Sequence, residues 1–73
     1  MARQQYWVSP SEGAWIVARE RRALERHPNK ERAVDAGVRI ARANQPSELL
    51  IQHRLGRIED RRTYGHDPYP PRG

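Results

Sequence analysis

The chain reads as a small α+β domain, and three features of the sequence point there. A β-prone run and a second apolar run flank a Pro, Ser and Gly turn near the N-terminus. One later stretch carries small and apolar residues at helical spacing, and extended apolar character returns after Pro46. At 73 residues the chain lies below the roughly 100–200 expected per domain, so a single domain over 1–73 is predicted. The final residues, 63–73, are expected to form an extended tail folded back on the sheet.

The first strand is Tyr6-Trp7-Val8, closed by Ser9-Pro10-Ser11-Glu12-Gly13, and Ala14 to Arg19 reads as the strand that completes a hairpin. Trp15 and Val17 share one face of it and Ala14, Ile16 and Ala18 the other, so the pattern leaves the inward face open. Glu20 to His27 fits an extension of that strand, a short third strand or a helical turn. Pro28-Asn29 ends it, and Asn29 is a good helix N-cap. From Lys30 the period changes, and Ala33, Val34, Gly37, Ile40, Ala41 and Asn44 fall on one stripe of a helix over about 30–44. Ala33, Gly37 and Ala41 at four-residue spacing let the helix backbone lie close to a sheet. That packing gain offsets a glycine costing about 1 kcal/mol in a helix interior.

Asn44 to Ser47 stops the helix. Glu48 to His53, a turn at Arg54-Leu55-Gly56, and Arg57 to Arg61 then make a second hairpin. Thr63 to Gly73, with Pro68, Pro70 and Pro71, is unsuited to a ladder strand or a helix. The expected order is β-β-α-β-β: an antiparallel sheet of two hairpins with the helix on one face. Its core is drawn from Ala33, Gly37, Ile40, Ala41, Trp15, Val17, Leu49, Ile51 and Ile58.

Composition narrows the function. There is no cysteine, so no disulfide and no thiolate metal site, and the chain fits a reducing compartment. No apolar run approaches the ~20 residues of a membrane span, and Met1 to Gln5 leads directly into a patterned segment, so a cytoplasmic location and no membrane partner are expected. Fourteen basic residues face nine acidic ones, for a net charge of +5, and of the fourteen only Lys30 is lysine. Arginine offers a planar donor fork suited to phosphates, carboxylates and aromatic faces.

Two segments carry a family likeness. One is Trp7-Val8-Ser9-Pro10 followed by Gly13-Ala14-Trp15-Ile16-Val17. The other is Gly56-Arg57-Ile58 with the ending Tyr64-Gly65-His66-Asp67-Pro68-Tyr69-Pro70-Pro71-Arg72-Gly73. Together they resemble the small bacterial family catalogued as domain of unknown function 2188, over almost the whole chain. The resemblance implies fold and size and brings no catalytic residues, cofactor or metal.

The residues themselves also point away from catalysis. His27, His53 and His66, with Asp67, match no compact metal-ligand spacing. Ser9, Ser11, Ser47 and Thr63 suit turns rather than a nucleophile elbow. No enzyme activity and no cofactor are expected. The arginines fall in two clusters, Arg19, Arg21, Arg22 and Arg26, and Arg54, Arg57, Arg61 and Arg62. If the two hairpins share a sheet, both clusters converge on one face or edge. Arg19, Arg21, Arg22, Arg54, Arg57 and Arg61 are then the candidate contacts to nucleic-acid phosphates, with little sequence preference.

Against this, Glu20, Glu25, Glu59 and Asp60 interleave with the arginines, and Asp35 and Arg39 stand at helix-pair spacing. Trp7 and Trp15 suit base stacking, and suit the core of a small domain better. The competing class is a protein-interaction module, a homodimer or a chain docked on another protein, covering the edges or face that one helix leaves bare.

Overall fold

The computed structural model describes residues 3–65. Five strands and one helix follow the order β1 (Gln4–Ser11), β2 (Ala14–Arg19), β3 (Arg22–His27), α1 (Lys30–Ala43), β4 (Ser47–Gln52) and β5 (Ile58–Tyr64). The order is therefore β-β-β-α-β-β, which corrects the four-strand expectation. The strands lie in one sheet as β3-β2-β1-β4-β5.

Strand β1 extends further than its β-prone core. The reversal is confined to Glu12 and Gly13, both at positive φ, 50° and 79°, while Pro10 and Ser11 pair with Trp15 and Ala14. Proline is tolerated there because the ladder between β1 and β4 ends at Val8 and Ile51, leaving Pro10 with a neighbour on one side only.

The ambiguous segment after β2 is a third strand, turned back at Glu20-Arg21, with Glu20 at φ 59°. Arg19 pairs with Arg22 and Trp15 with His27, and an irregularity between Val17 and Ala18 absorbs Leu24 as an extra residue.

Helix α1 starts where the cap residue indicated. The Asn29 side chain accepts a hydrogen bond from the Arg32 backbone N–H at 2.9 Å, with Glu31 in the first turn and Arg42 in the last, each at the end its charge suits. At the C-terminus the Asn44 side chain donates to the Ile40 carbonyl and the buried Ser47 hydroxyl donates to the Ala41 carbonyl, so two of the last turn's carbonyls are met. The chain then passes a cis Gln45-Pro46 bond.

Strand β4 enters beside β1 and runs parallel to it, Gln4 opposite Ser47 and Val8 opposite Ile51. All other pairings are antiparallel, so the sheet is mixed, a second correction. A parallel neighbour requires a crossover, and α1 supplies it by passing over the strands from β3 to β4.

The core lies between helix and sheet. Tyr6, Val8, Val17, Leu49 and Ile51 meet Ala33, Ala36 and Ala41, with Trp15, Val34, Val38, Ile40 and Tyr64 packed around them. The inward face of β2 is thus the one bearing Trp15 and Val17. Ile58 is not in this core: it pairs with Gln52, points away from the helix and is 46% exposed. Strand β5 continues through Thr63 and Tyr64, opposite Glu48 and Ser47. Those two residues therefore belong to the ladder rather than to the tail, and 66–73 lie outside the described residues.

Arg39 is not held by Asp35. It reaches across to the edge strand and donates to both Glu25 oxygens at 3.2 and 3.0 Å, while the His27 ring lies 2.9 Å from the same carboxylate. The Arg39 hydrogen bond first, and the His27 bond second, hold the Glu25 carboxyl below its usual 4.5. Among the described residues, no helix is long and apolar enough to cross a membrane.

A Cβ at Gly37 would stand 3.0 Å from Leu49 Cδ1 and 3.0 Å from Val8 Cγ2, both on fully buried side chains. Overpacking of a closed core costs about 1–3 kcal/mol, more than the ~1 kcal/mol that alanine's helix preference returns. Gly37→Ala is therefore expected to lower stability in urea melts by about 1 kcal/mol, and an unchanged or raised midpoint would show that the helix has room to lift.

The lowered Glu25 carboxyl adds stability that is present above the ordinary 4.5 and is lost as pH falls through the folded value. Glu25→Gln should cost on the order of 0.5 kcal/mol at neutral pH, the size of an exposed ion pair, and flatten the acid side of the stability curve. Melts at a series of acid pH values check it, and an acid limb identical to the parent's would remove Glu25 from the account.

Candidate nucleic-acid interface

The candidate arginines are carried on two turns, and the sheet topology fixes where those turns lie. Strand β2 runs antiparallel to β1, so its last residue, Arg19, the turn residue Arg21 and the first residue of β3, Arg22, stand at the end where β1 and β4 begin. Strand β4 runs parallel to β1, so the turn that follows it, with Arg54 and Arg57, stands at the opposite end. The two clusters occupy diagonally opposite corners. Strand rise and spacing put about 20–25 Å between them. The expected convergence on one face or edge does not occur.

At the β2–β3 corner, Arg19, Arg21 and Arg22 are exposed. None of the three forms an ion pair with a carboxylate among the described residues. The Arg19 guanidinium lies 6.0 Å from the centroid of the Tyr6 ring, within the range of a cation–π contact. Glu20 is the acidic residue of the turn. Two open hollows flank the corner, one lined by Arg3, Gln4, Gln5, Trp7, Arg19 and Glu20 and the other by Arg19 to Arg22 with Leu24. Arg3 donates to the Tyr64 carbonyl at 3.3 Å across the start of the sheet.

At the β4–β5 corner the turn is tightly bonded. The His53 N–H donates to the Arg57 carbonyl at 2.6 Å, the Gly56 N–H to the His53 carbonyl at 2.8 Å, and the Leu55 N–H to His53 Nδ1 at 3.1 Å. His53 is thereby a turn residue, and Gly56 at φ 102° completes the reversal. This frame holds Arg54 and Arg57 outward, again without an ion pair among the described residues.

The remaining arginines of the two clusters are engaged. Arg61 lies in mid-strand opposite Leu50 and pairs with Glu48 at 3.2 Å, so of the predicted contacts it is the one already bound to an acid. Arg62 donates to Asp60 at 3.1 Å, which raises its guanidinium above the usual value. Arg26 donates to the Ser11 carbonyl at 3.2 Å beside the first turn. Glu25, Glu48 and Asp60 thus neutralise Arg39, Arg61 and Arg62 rather than the turn arginines.

The tryptophans separate. Trp15 packs on the helix-side core, with the Lys30 ammonium 5.2 Å from its ring centroid and paired with Glu59. Trp7 stands between Tyr6 and Val8, which both point into the core, so it projects from the opposite face, which no helix covers. That alternation is the signal by which the side of Trp7 is recognisable, and the residue is half-buried there. Among the described residues no group of three or more His, Asp or Glu side chains gathers as a metal site. His66 and Asp67 lie outside those residues.

The family described as uncharacterized protein conserved in bacteria (DUF2188) matches residues 6–64, and the chain belongs to it. The matched span takes in the Trp7 and Trp15 segments and Gly56-Arg57-Ile58, and stops before the proline-rich ending. No curated protein and no solved structure matches the chain.

Proposed function

We propose that this member of the DUF2188 family is a non-catalytic binding module that holds nucleic acid by its phosphates, with the β2–β3 corner as its principal contact. The observation that carries this reading is the trio Arg19, Arg21 and Arg22: three exposed guanidinium groups within four residues, each without a carboxylate partner among the described residues. A net charge of +5 adds long-range attraction. Contacts to phosphate position a nucleic acid without reading its bases, so little sequence preference is expected.

Arg54 and Arg57 form a second contact at the far corner. A gap of about 20–25 Å corresponds to some six or seven nucleotide steps at about 3.4 Å each, so one strand or duplex of that length reaches both. Arg61, bound to Glu48, supports the sheet more than it contacts a ligand. The proposal places the protein in the cytoplasm.

One observation favours a different class. The sheet face opposite the helix carries Trp7, Ile16 and Ile58, and Leu24 on the β3 edge is 40% exposed, which suits a protein partner or a second copy. Binding through such a surface would survive salt.

Fluorescence anisotropy with short labelled nucleic acids at about 50 and about 200 mM salt tests the proposal. The three phosphate contacts of the β2–β3 corner alone predict an affinity loss of about 20–40-fold between the two conditions, and a probe long enough to reach Arg54 and Arg57 a larger one. Arg21→Glu with Arg22→Glu should abolish most of the binding, while Arg61→Gln should change it little. Salt-insensitive binding, or none at low salt, would turn the search to a protein partner.

A further inference from the structure

The two flanks of α1 differ in charge. Towards β5, Glu31, Asp35, Glu59 and Asp60 line an open hollow together with Lys30 and Arg62. Lys30 is paired with Glu59 and Arg62 with Asp60, so Glu31 and Asp35 leave that flank net negative.

The flank towards β3 is basic. Arg19 lies two residues past the buried Val17 and over the Tyr6 ring, so it stands on the helix side of the sheet, and its register partner Arg22 stands there with it. Glu25 is opposite Val17 and shares that side. Arg39 reaches Glu25 from the helix through Nη2 alone, which leaves the Nε and Nη1 donors of its fork for a ligand. Its side chain is 63% exposed. Arg32 lies two turns earlier on the same flank, about 10.5 Å along the axis. It is exposed and forms no ion pair among the described residues. The end of α1 lies beside the start of β4, where the Ser47 hydroxyl meets the Ala41 carbonyl, so the helix runs back along β3 towards the arginine corner. From that corner the order is therefore Arg19 and Arg22, then Arg39, then Arg32, over about 15–20 Å, the length of a six-residue strand.

We infer that the β3 flank of α1 continues the β2–β3 corner as a track for a nucleic-acid backbone, with Arg32 and Arg39 as its further phosphate contacts. The inference rests on the phosphate-binding reading and extends it from a corner to a path. One strand carries a phosphate about every 3.4 Å, so the track spans about five of them. The negative flank on the β5 side repels the same backbone and turns it towards β3. Glu25 fixes the Arg39 guanidinium beside the corner arginines, whereas Arg61 and Arg62 are bound to acids on the far edge strand.

The test measures the affinity of the full chain for a short labelled duplex and a single strand of the same length at about 50 and about 200 mM salt. Arg32→Gln with Arg39→Gln should weaken binding at the lower salt and shrink the duplex affinity ratio between the two conditions by about tenfold, the effect of losing two phosphate contacts. Arg32→Gln alone should shrink it about threefold, and it disturbs no ion pair of the fold. Arg62→Gln removes an equal charge, also bound to one carboxylate, from the opposite flank and should change the ratio little. Parent-like binding by the Arg32 and Arg39 variants, with binding still lost in Arg21→Glu with Arg22→Glu, would overturn the track and leave the corner standing. An equal loss with Arg62→Gln would also overturn it, since net charge alone would then account for the effect. Failure of both probes to bind the parent protein would overturn the track and the phosphate reading together.

Discussion

Gly37 lets the backbone of α1 rest against Val8 and Leu49, two side chains on neighbouring strands, β1 and β4. That close approach is what the rest of the structure depends on. The helix presents mainly Ala33, Ala36 and Ala41 beside the glycine, residues that fill little volume themselves. The apolar area needed to close the core comes instead from Tyr6, Val8, Val17, Leu49 and Ile51 on the sheet. Full burial of such a side chain contributes about 1.5–3 kcal/mol, against about 0–1 kcal/mol for an exposed ion pair. The helix-to-sheet seam, rather than the many charged pairs of the surface, therefore holds the domain together.

Much of this was legible beforehand. Asn29, the helical stripe and the spacing of Ala33, Gly37 and Ala41 located α1 to within a residue and identified the face that packs. Strand β3 was hidden for a physical reason: Arg22, Ala23, Leu24 and Arg26 are all exposed, so an edge strand bare on both faces shows no alternation to read. Pro10 disguised the end of β1, since its place in a strand depends on where the neighbouring ladder stops, and Pro10 itself carries no sign of that.

The candidate site turned on one pairing that no local pattern encodes. Had β4 run antiparallel to β1, the β4–β5 turn would stand beside Arg19, and the two arginine clusters would meet. The parallel pairing sends Arg54 and Arg57 to the far corner instead. The arginines were identifiable as residues, but their relation in space was set by a crossover helix. Trp7 illustrates the converse: once Tyr6 and Val8 are known to be buried, its outward direction follows from period alone.

The same pairing shapes how the domain comes into being. Strand β1 lies at the centre of the sheet, yet one of its two neighbours is separated from it by more than forty residues, Gln4 from Ser47. The meander of β1, β2 and β3 rests on contacts local in sequence, but Tyr6, Val8 and Val17 are covered and the second edge of β1 is paired only by α1 and β4. Neither half holds a core of its own, and the domain is built as one unit rather than as two hairpins docked together.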